Sequence, residues 1–564
     1  MESEEAERNG LNVLPFLRLS QNAYSDIKSY QALVVNQTRQ LYCMKMMTTV
    51  DPKLLVAAEQ STAPRAVVIG AGLGGLSAAM RLGAKGYRVT VLDRLDRLGG
   101  RGSSITQNGH RFDLGPTIVT VPNVFRDLWA DCGRVFEDEV DLRPVDPYYE
   151  IRWPDGSRFQ VRQDEAKMLA EVTRLFPNDV KGYQKFLKDS EARYHFGFEG
   201  MGRKPMNRLW DLIKELPGFA ALRADQSVYA HAAKRVRDPK LRMALSFHPL
   251  FIGGDPVNVT SMYILVSYLE KAFGVHYAMG GVQAIADAMG HVIEDQGGCI
   301  RLGEEIEEIL CKQKVVRGVR TKSGDVITAD IVVSNADPGH TYDHLLRGIE
   351  KRRWTPERLR RARWSMGLFV WYFGTKGTAG KWADVGHHTI LNGPRYRGLL
   401  KDIFQKRHLA DDMSIYLHRP SVTDPSVAPL GDDTFYALSP VPNLVGSESV
   451  DWQQACASYR QKVEDVLHNQ LLPGFADHLS ASEIFTPETF QSRYLSPHGA
   501  GFSLEPRIFQ SAWFRPHNIS EEIHGLFLVG AGTHPGAGLP SVVTSSEVLN
   551  HLVPEAQYWK AYHD

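Results

Sequence analysis

The densest chemistry in this sequence is a glycine turn followed by a single carboxylate. Gly70, Gly72 and Gly75 have GxGxxG spacing, and Asp93 follows at roughly the 20-residue interval expected of a dinucleotide site. Gly70 permits a tight turn, Gly72 lets the backbone approach a pyrophosphate, and Gly75 lets a helix pack closely on the preceding strand. The helix start offers unpaired N–H groups and a positive dipole end to the phosphates. Asp93, closing a second strand, accepts hydrogen bonds from an adenosine ribose and disfavours a 2′-phosphate, which argues against NADP.

A GxGxxG alone is weak; the flanking elements give it weight. AVVIG reads as a buried strand and GLGGLSAAMRLGAKG as a helix with Leu76, Ala79, Met80 and Gly83 on its inner face. YRVTVLD reads as the next strand, which completes a βαβ unit starting at Arg65. The C-terminal run GLFLVGAGTHPGAGLPSVVTSSEVLNHL repeats strand, glycine-rich turn and helix, with Pro540 in a first turn where a missing N–H costs nothing. Residues from about Asp164 to Glu270 read mainly helical. IRLGEEIEEIL, VVRGVRT and DVITADIVVSNAD are strand-like, and residues 365–375 and 433–442 look like strands of a second sheet.

The chain has 564 residues, which implies two or three domains, and its 43% hydrophobic and 23% charged residues are ordinary for a globular protein. A formal net charge of zero supplies no field for nucleic acid, so no nucleic-acid partner is expected. Cys43, Cys132, Cys299, Cys311 and Cys456 are scattered without CxxC spacing and read as reduced thiols. No apolar run reaches the ~18 residues of a membrane span. The acidic start MESEEAERNG resembles neither a secretory signal nor a transit peptide. Residues 1–64 read as a flexible extension, and Met44, Met46 and Met47 within it suggest a later natural start.

Gly99, Gly100 and Arg101 resemble the extended fingerprint of amine-oxidase-like flavoproteins, in which the arginine supports the FAD diphosphate; this selects FAD over NAD. Phe112, Asp113, Leu114, Gly115 and Pro116 resemble the segment that leads towards the flavin ring. The motifs FHPLFIGGDP, GVHYAMGGVQAI, SNADPGHTY, LFVWYFG, RYLSPHGAGFSLEP, QSAWFRPHN and GLFLVGAGTHPGAGLP, in this order along the chain, resemble bacterial-type phytoene desaturases from about Arg65 to Val553. Asn392, between HHTI and GPRYR, departs from the pattern.

The resemblance implies an α/β protein: a discontinuous, Rossmann-like FAD domain (65–150, about 276–345, about 515–553), a helical substrate and membrane-associating region (about 151–275), and a mixed-sheet substrate domain (about 346–514). It assigns FAD contacts to Gly70, Gly72, Gly74, Gly75, Asp93, Gly100, Arg101, Gly115, Pro116, Ile306, Gly532, Gly536, Gly538 and Val542. If the terminal turn holds the isoalloxazine, the helix start at Pro540 stabilises the anionic reduced ring. The implied partners are phytoene and partly desaturated carotenes, a membrane lipid surface, and oxygen or a quinone as electron acceptor. The implied location is peripheral, on the cytoplasmic side of a bacterial membrane, with neurosporene or lycopene as product.

Desaturation removes a hydride and then a proton. The allylic cation between those steps is acidic enough for a weak base. No Ser/His/Asp or metal-type cluster stands out. His387, His388 and His534 are candidate bases, although a structural role is the commoner one for a histidine. Asp211 and Lys214 lie one helical turn apart in WDLIKELP; the family suggests an acidic–basic pair here, with Arg at the second place, and a solvated ion pair is the alternative. A hydrocarbon must be held by an apolar tunnel, for which SMYILVSYLEKAF and SMGLFVWYF are candidates. KRRWTPERLRRARW, with Trp354 and Trp364 among seven basic residues from Lys351 to Arg363, suits an anionic membrane surface. Two other readings stay open: another flavoenzyme of this fold, a carotenoid desaturase or an amine oxidase, and a non-enzymatic flavin-binding scaffold.

Overall fold

The run RAVVI is apolar and β-branched, and it forms strand β1 (Arg65–Ile69), buried after its first residue. Helix α1 (Leu73–Ala84) and strand β2 (Arg88–Asp93) follow. In this computed structural model, which describes residues 63–446 and 450–559, β1 sits at the centre of a five-stranded parallel sheet. It pairs with β2 on one side and with Ile331–Ser334 on the other; Cys299–Leu302 and Leu526–Leu528 form the edges. Alternate residues of β1 enter different cores. Ala66 and Val68 face α1 and the helix Val282–Asp295. Val67 and Ile69 face the antiparallel strands Ile306–Lys312 and Val315–Thr321. A strand covered on both faces reads as one apolar run, as this one does. The expected extension over residues 1–64, with Cys43 and its methionines, lies almost wholly outside the described residues.

The helical stretch is as expected and includes α2 (Leu209–Ala221), whose first turn is capped by Asp211. A second, seven-stranded mixed sheet is built around β3 (Gly367–Thr375), every residue of which is buried. Asp433–Val441 and Leu479–Phe485 flank β3 antiparallel. Phe369, Trp371 and Phe373 pack towards the helix Trp452–Gln470; Leu368, Val370 and Tyr372 face the other way, towards the helical region. Tyr149–Arg152 pairs in parallel with His388–Leu391, and Arg158–Val161 pairs with Tyr149–Arg152. These strands correct the expected boundary near 151: they belong to the second sheet, and the helical stretch opens at Glu165.

The basic segment 351–364 also differs from expectation. Trp354 and Trp364 are 2% and 6% exposed, so both rings face inward. Arg358 stacks on the Trp354 ring at 4.1 Å and Arg353 on the Trp513 ring at 4.4 Å. The arginines cover aromatic rings here, and neither Trp354 nor Trp364 leaves a face for a membrane. Among the described residues no helix is long and apolar enough to cross a membrane.

Candidate active site

The turn after β1 is held by its own backbone and by Asp93. Gly70 adopts φ +94° and donates its N–H to the Leu92 carbonyl at 2.7 Å. Asp93 accepts from Ala71 N–H at 2.7 Å and from Leu95 N–H at 2.8 Å. Burial raises the Asp93 carboxyl above its usual range, and those two N–H bonds oppose the shift. A Cβ on Gly75 would overlap the Gly70 carbonyl oxygen, which is the close helix–strand contact expected of the third glycine.

Gly72 and Gly74 have a further reason to lack side chains. A Cβ on Gly72 would lie 2.8 Å from Asn335 Nδ2, and one on Gly74 would lie 2.6 Å from Asn335 Oδ1. A Cβ on Gly530, in the terminal turn, would overlap the same amide. Asn335 thus occupies the seam between the N-terminal and C-terminal glycine turns. It lies in the SNADPGHTY motif, but its type alone carried no sign of that position.

One cavity of about 680 Å³ joins the expected FAD residues. Its lining includes Gly70, Gly72, Gly74, Asp93, Gly100, Arg101, Gly115, Pro116, Ile306, Gly532, Gly538 and Val542. Gly75 sits behind it, against β1. Gly536 is set back from it, with the Arg515 guanidinium 3.8 Å from where its Cβ would be. Arg101 lines the cavity and bonds Ser496 Oγ, yet its buried Nε has no partner within the protein. Burial lowers its pKa, with Asp337 opposing. A buried guanidinium with an open donor beside bare glycine backbone suits a diphosphate. The terminal helix Leu539–Leu552 starts at this cavity, with Pro540 in its first turn.

The rest of the lining is apolar and aromatic, including Phe251, Met262, Leu368 and Val370. Leu216, Ile508 and Phe509 both line the cavity and are exposed, so the cavity opens there. Leu209, Trp210 and Ile213 of α2 are exposed close by in sequence, with Trp210 at 59% and Phe509 at 72%.

Asp211 and Lys214 are not in the cavity lining. Asp211 accepts the Arg208 N–H at 2.9 Å as a helix cap, and Lys214 is exposed beside the Trp210 ring. His534 lines the cavity, but its Nε2 lies 3.2 and 3.1 Å from the Met201 and Lys204 carbonyls. Burial pushes its pKa down to about 4, and it ties the terminal turn to the helical region. The four described cysteines are unpaired.

No metal-type cluster stands out in the sequence, yet the fold assembles one group of histidines. His387 and His388 are joined by His418, with a ring nitrogen of each within 4.8 Å of the others. His387 Nε2 is 3.0 Å from His418 Nε2, and burial pushes His387 down to about 3 and the other two well below the usual range. Tyr372, Tyr416 and Tyr436 also escaped the sequence reading. Tyr372 donates to the Leu114 carbonyl at 3.2 Å, and Thr117 bonds both other hydroxyls. Alternating aromatic residues on predicted strands were the available signal; they say that one face is buried, not what it meets.

Residues 73–547 match the family described as flavin containing amine oxidoreductase. The neurosporene-forming phytoene desaturase of Cereibacter sphaeroides is 67% identical over 88% of this chain and 96% of its own length. The lycopene-forming phytoene desaturase of Pseudescherichia vulneris is 41% identical over 87% of this chain and 99% of its own length. The chain belongs to the bacterial-type phytoene desaturases.

An oxidoreductase from Methanosarcina mazei shares the fold at 16% identity and TM-score 0.57, over 86% of this chain and all of that one. A putrescine oxidase variant does so at 11% and 0.58, over 88% and 99%. The fold is therefore that of the amine-oxidase-like flavoproteins, with mixed sheets and helices, and the cofactor is FAD. The orphaned Arg101 Nε and the side-chain-free glycine wall fit that group.

Proposed function

We propose that this chain desaturates 15-cis-phytoene by successive removal of hydride and proton and that its product is neurosporene. The observation that carries the reading is the cavity: a polar glycine-and-arginine wall continues into apolar lining that opens among exposed apolar side chains. A C40 hydrocarbon offers no hydrogen bonds and must be held by such a surface. The choice of neurosporene follows the two neurosporene-forming relatives at 67% and 64% identity, against 41% or less for the lycopene-forming ones.

Bound FAD supplies hydride acceptance. Gly70, Gly72, Gly74 and Gly75 shape the diphosphate cradle, and Arg101 and Gly100 close it. Asp93 and Ile306 serve the adenosine end; they are adjacent because Glu304 N–H donates to the Asp93 carbonyl at 2.7 Å. Gly115, Pro116, Gly532, Gly538 and Val542 would hold the ring, with Gly536 letting the turn pass Arg515. The N-terminus of Leu539–Leu552 favours negative charge on the reduced ring. Electrons leave to oxygen or a quinone.

Substrate enters from the cytoplasmic face of the membrane, where the protein docks peripherally through Trp210, Leu216, Ile508 and Phe509 around the cavity mouth. Expression in a host that makes phytoene should turn it yellow, and chromatography should show neurosporene; phytoene left unconverted would refute the reading. Trp210→Ser with Phe509→Ser should lose sedimentation with liposomes while retaining FAD, and undiminished sedimentation would refute the docking surface.

A further inference from the structure

A series of polar side chains, joined by hydrogen bonds and one histidine stack, leaves the cavity wall within the second sheet. Thr117 Oγ1 lies 3.0 Å from Tyr416 Oη and 2.9 Å from Tyr436 Oη. Tyr416 Oη lies 2.7 Å from His388 Nδ1. His388 stacks on His418, centroids 5.2 Å apart, and His418 contacts His387 as described. His387 Nδ1 then meets Thr423 Oγ1 at 2.5 Å, and Thr423 is half-buried next to exposed Val422. Thr117 and Tyr416 line the cavity, whereas the histidines stand behind them. Polar side chains therefore connect the substrate-facing wall with the surface.

A hydrocarbon needs none of these groups for recognition, and plain packing would favour apolar residues. His388 Nε2 and His418 Nδ1 are buried with no partner in the protein, at a cost of about 1–3 kcal/mol for such a group. Unsatisfied groups retained next to a reaction cavity point to chemistry.

We propose that Tyr416 accepts the proton in each desaturation and that His388 takes it onward. The proposal rests on the desaturation reading above. One C–H bond of the substrate gives up its hydrogen with both electrons to the flavin, leaving an allylic cation. The neighbouring C–H bond then breaks, and its electron pair becomes the second bond of the new C=C. Its proton goes to Tyr416 Oη as the phenolic proton passes to His388 Nδ1. His388 releases a proton from Nε2 towards the unpartnered Nδ1 of the stacked His418 ring. His387 and Thr423 carry it out. The substrate loses two hydrogens, the flavin gains a hydride, and one proton reaches solvent.

Burial holds His388 neutral and the Tyr416 phenol protonated, so the acceptor lone pair and the proton to be passed are both in place before reaction. A poor base is adequate because the C–H next to an allylic cation is strongly acidic.

The test uses the holoenzyme with phytoene in liposomes, protiated or deuterated at the carbon that loses the proton. Tyr416→Phe removes only the hydroxyl. It should lower kcat about 100-fold, the scale of one acid–base group, with FAD content unchanged. KM should stay within about twofold, because ground-state binding is untouched. The isotope effect should rise, because proton removal becomes limiting. His388→Asn keeps an acceptor near the Nδ1 position but cannot be protonated; it should lower kcat about 10-fold with an isotope effect changed in the same direction. If Tyr416→Phe loses FAD, His388→Asn decides alone. Wild-type turnover in the variants, or slower turnover with an unchanged isotope effect, overturns the proposal. A wild-type enzyme that forms no coloured product overturns the desaturation reading itself, and this proposal with it.

Discussion

The nucleotide wall of the cavity is made of backbone, whereas the substrate wall is made of large side chains. At the first, Gly72 and Gly74 leave room for Asn335, and Gly75 for a closely packed helix. At the second, Leu368, Val370 and Tyr372 of β3, together with Tyr416 and Tyr436, fill space and present either apolar surface or a hydroxyl. Gly75 tolerates almost no added atom, because its nearest neighbour is itself backbone. Side-chain walls tolerate replacement of similar volume, because neighbours can repack. Mutations on the two walls should differ accordingly.

The largest effect is expected at Gly75. An alanine there would place Cβ on the Gly70 carbonyl oxygen, which belongs to the tight turn after β1 that Gly70 N–H pins to the Leu92 carbonyl. Gly75→Ala should cost about 3 kcal/mol or more and yield protein without flavin, read from the visible spectrum and a thermal melt. Flavin-replete Gly75→Ala of ordinary stability would erase the contrast between the walls. Next comes Arg101→Met, similar in length but uncharged. Losing the charged donor should cost about 2–3 kcal/mol of FAD binding, a roughly 30- to 160-fold rise in Kd measured by flavin release. An unchanged Kd would remove Arg101 from the cradle.

The two walls were also unequally legible in the sequence. The glycine wall could be read because its constraint is local: each glycine, the strand before it and Asp93 lie within one βαβ unit. The terminal turn repeated that pattern. The substrate wall is assembled from distant strands whose pairing no short window encodes. Tyr149–Arg152 joins His388–Leu391 across more than half of the second sheet's sequence span, which moved a predicted boundary. His387 and His388 were visible as a pair, but His418 joins them only through antiparallel pairing of His388 with His418. In the basic segment, composition suggested an interfacial face; burial of Trp354 and Trp364 is a tertiary fact that alternation of Arg and Trp does not show.

The histidines behind the substrate wall carry a pH signature of their own. An unfolded histidine takes its proton near pH 6.5, whereas His387 in the fold does so only at about 3. Below 6.5 the unfolded state therefore binds more protons, and stability falls as pH falls, until about 3. One such group contributes a slope of about 1.4 kcal/mol per pH unit. Thermal melts from pH 7 to 5 should show this loss, and His387→Gln should make it shallower by about one proton. An identical slope in the variant would mean that His387 is protonated in the fold.

The smallest effect is expected at Asp211, outside both walls. Its carboxylate accepts the Arg208 N–H at the start of α2 and does not line the cavity. Asp211→Ala leaves that donor to water and should cost about 0.5–2 kcal/mol, the usual range for a lost cap. Because α2 also bears exposed Trp210, and Leu216 at the cavity mouth, fraying its first turn should weaken the proposed liposome binding slightly before it affects chemistry. Turnover per bound FAD in detergent, where docking is bypassed, should therefore equal that of the wild type. A large fall in that quantity, with FAD fully retained, would place Asp211 in the proton path and leave the tyrosine–histidine chain a structural feature of the second sheet.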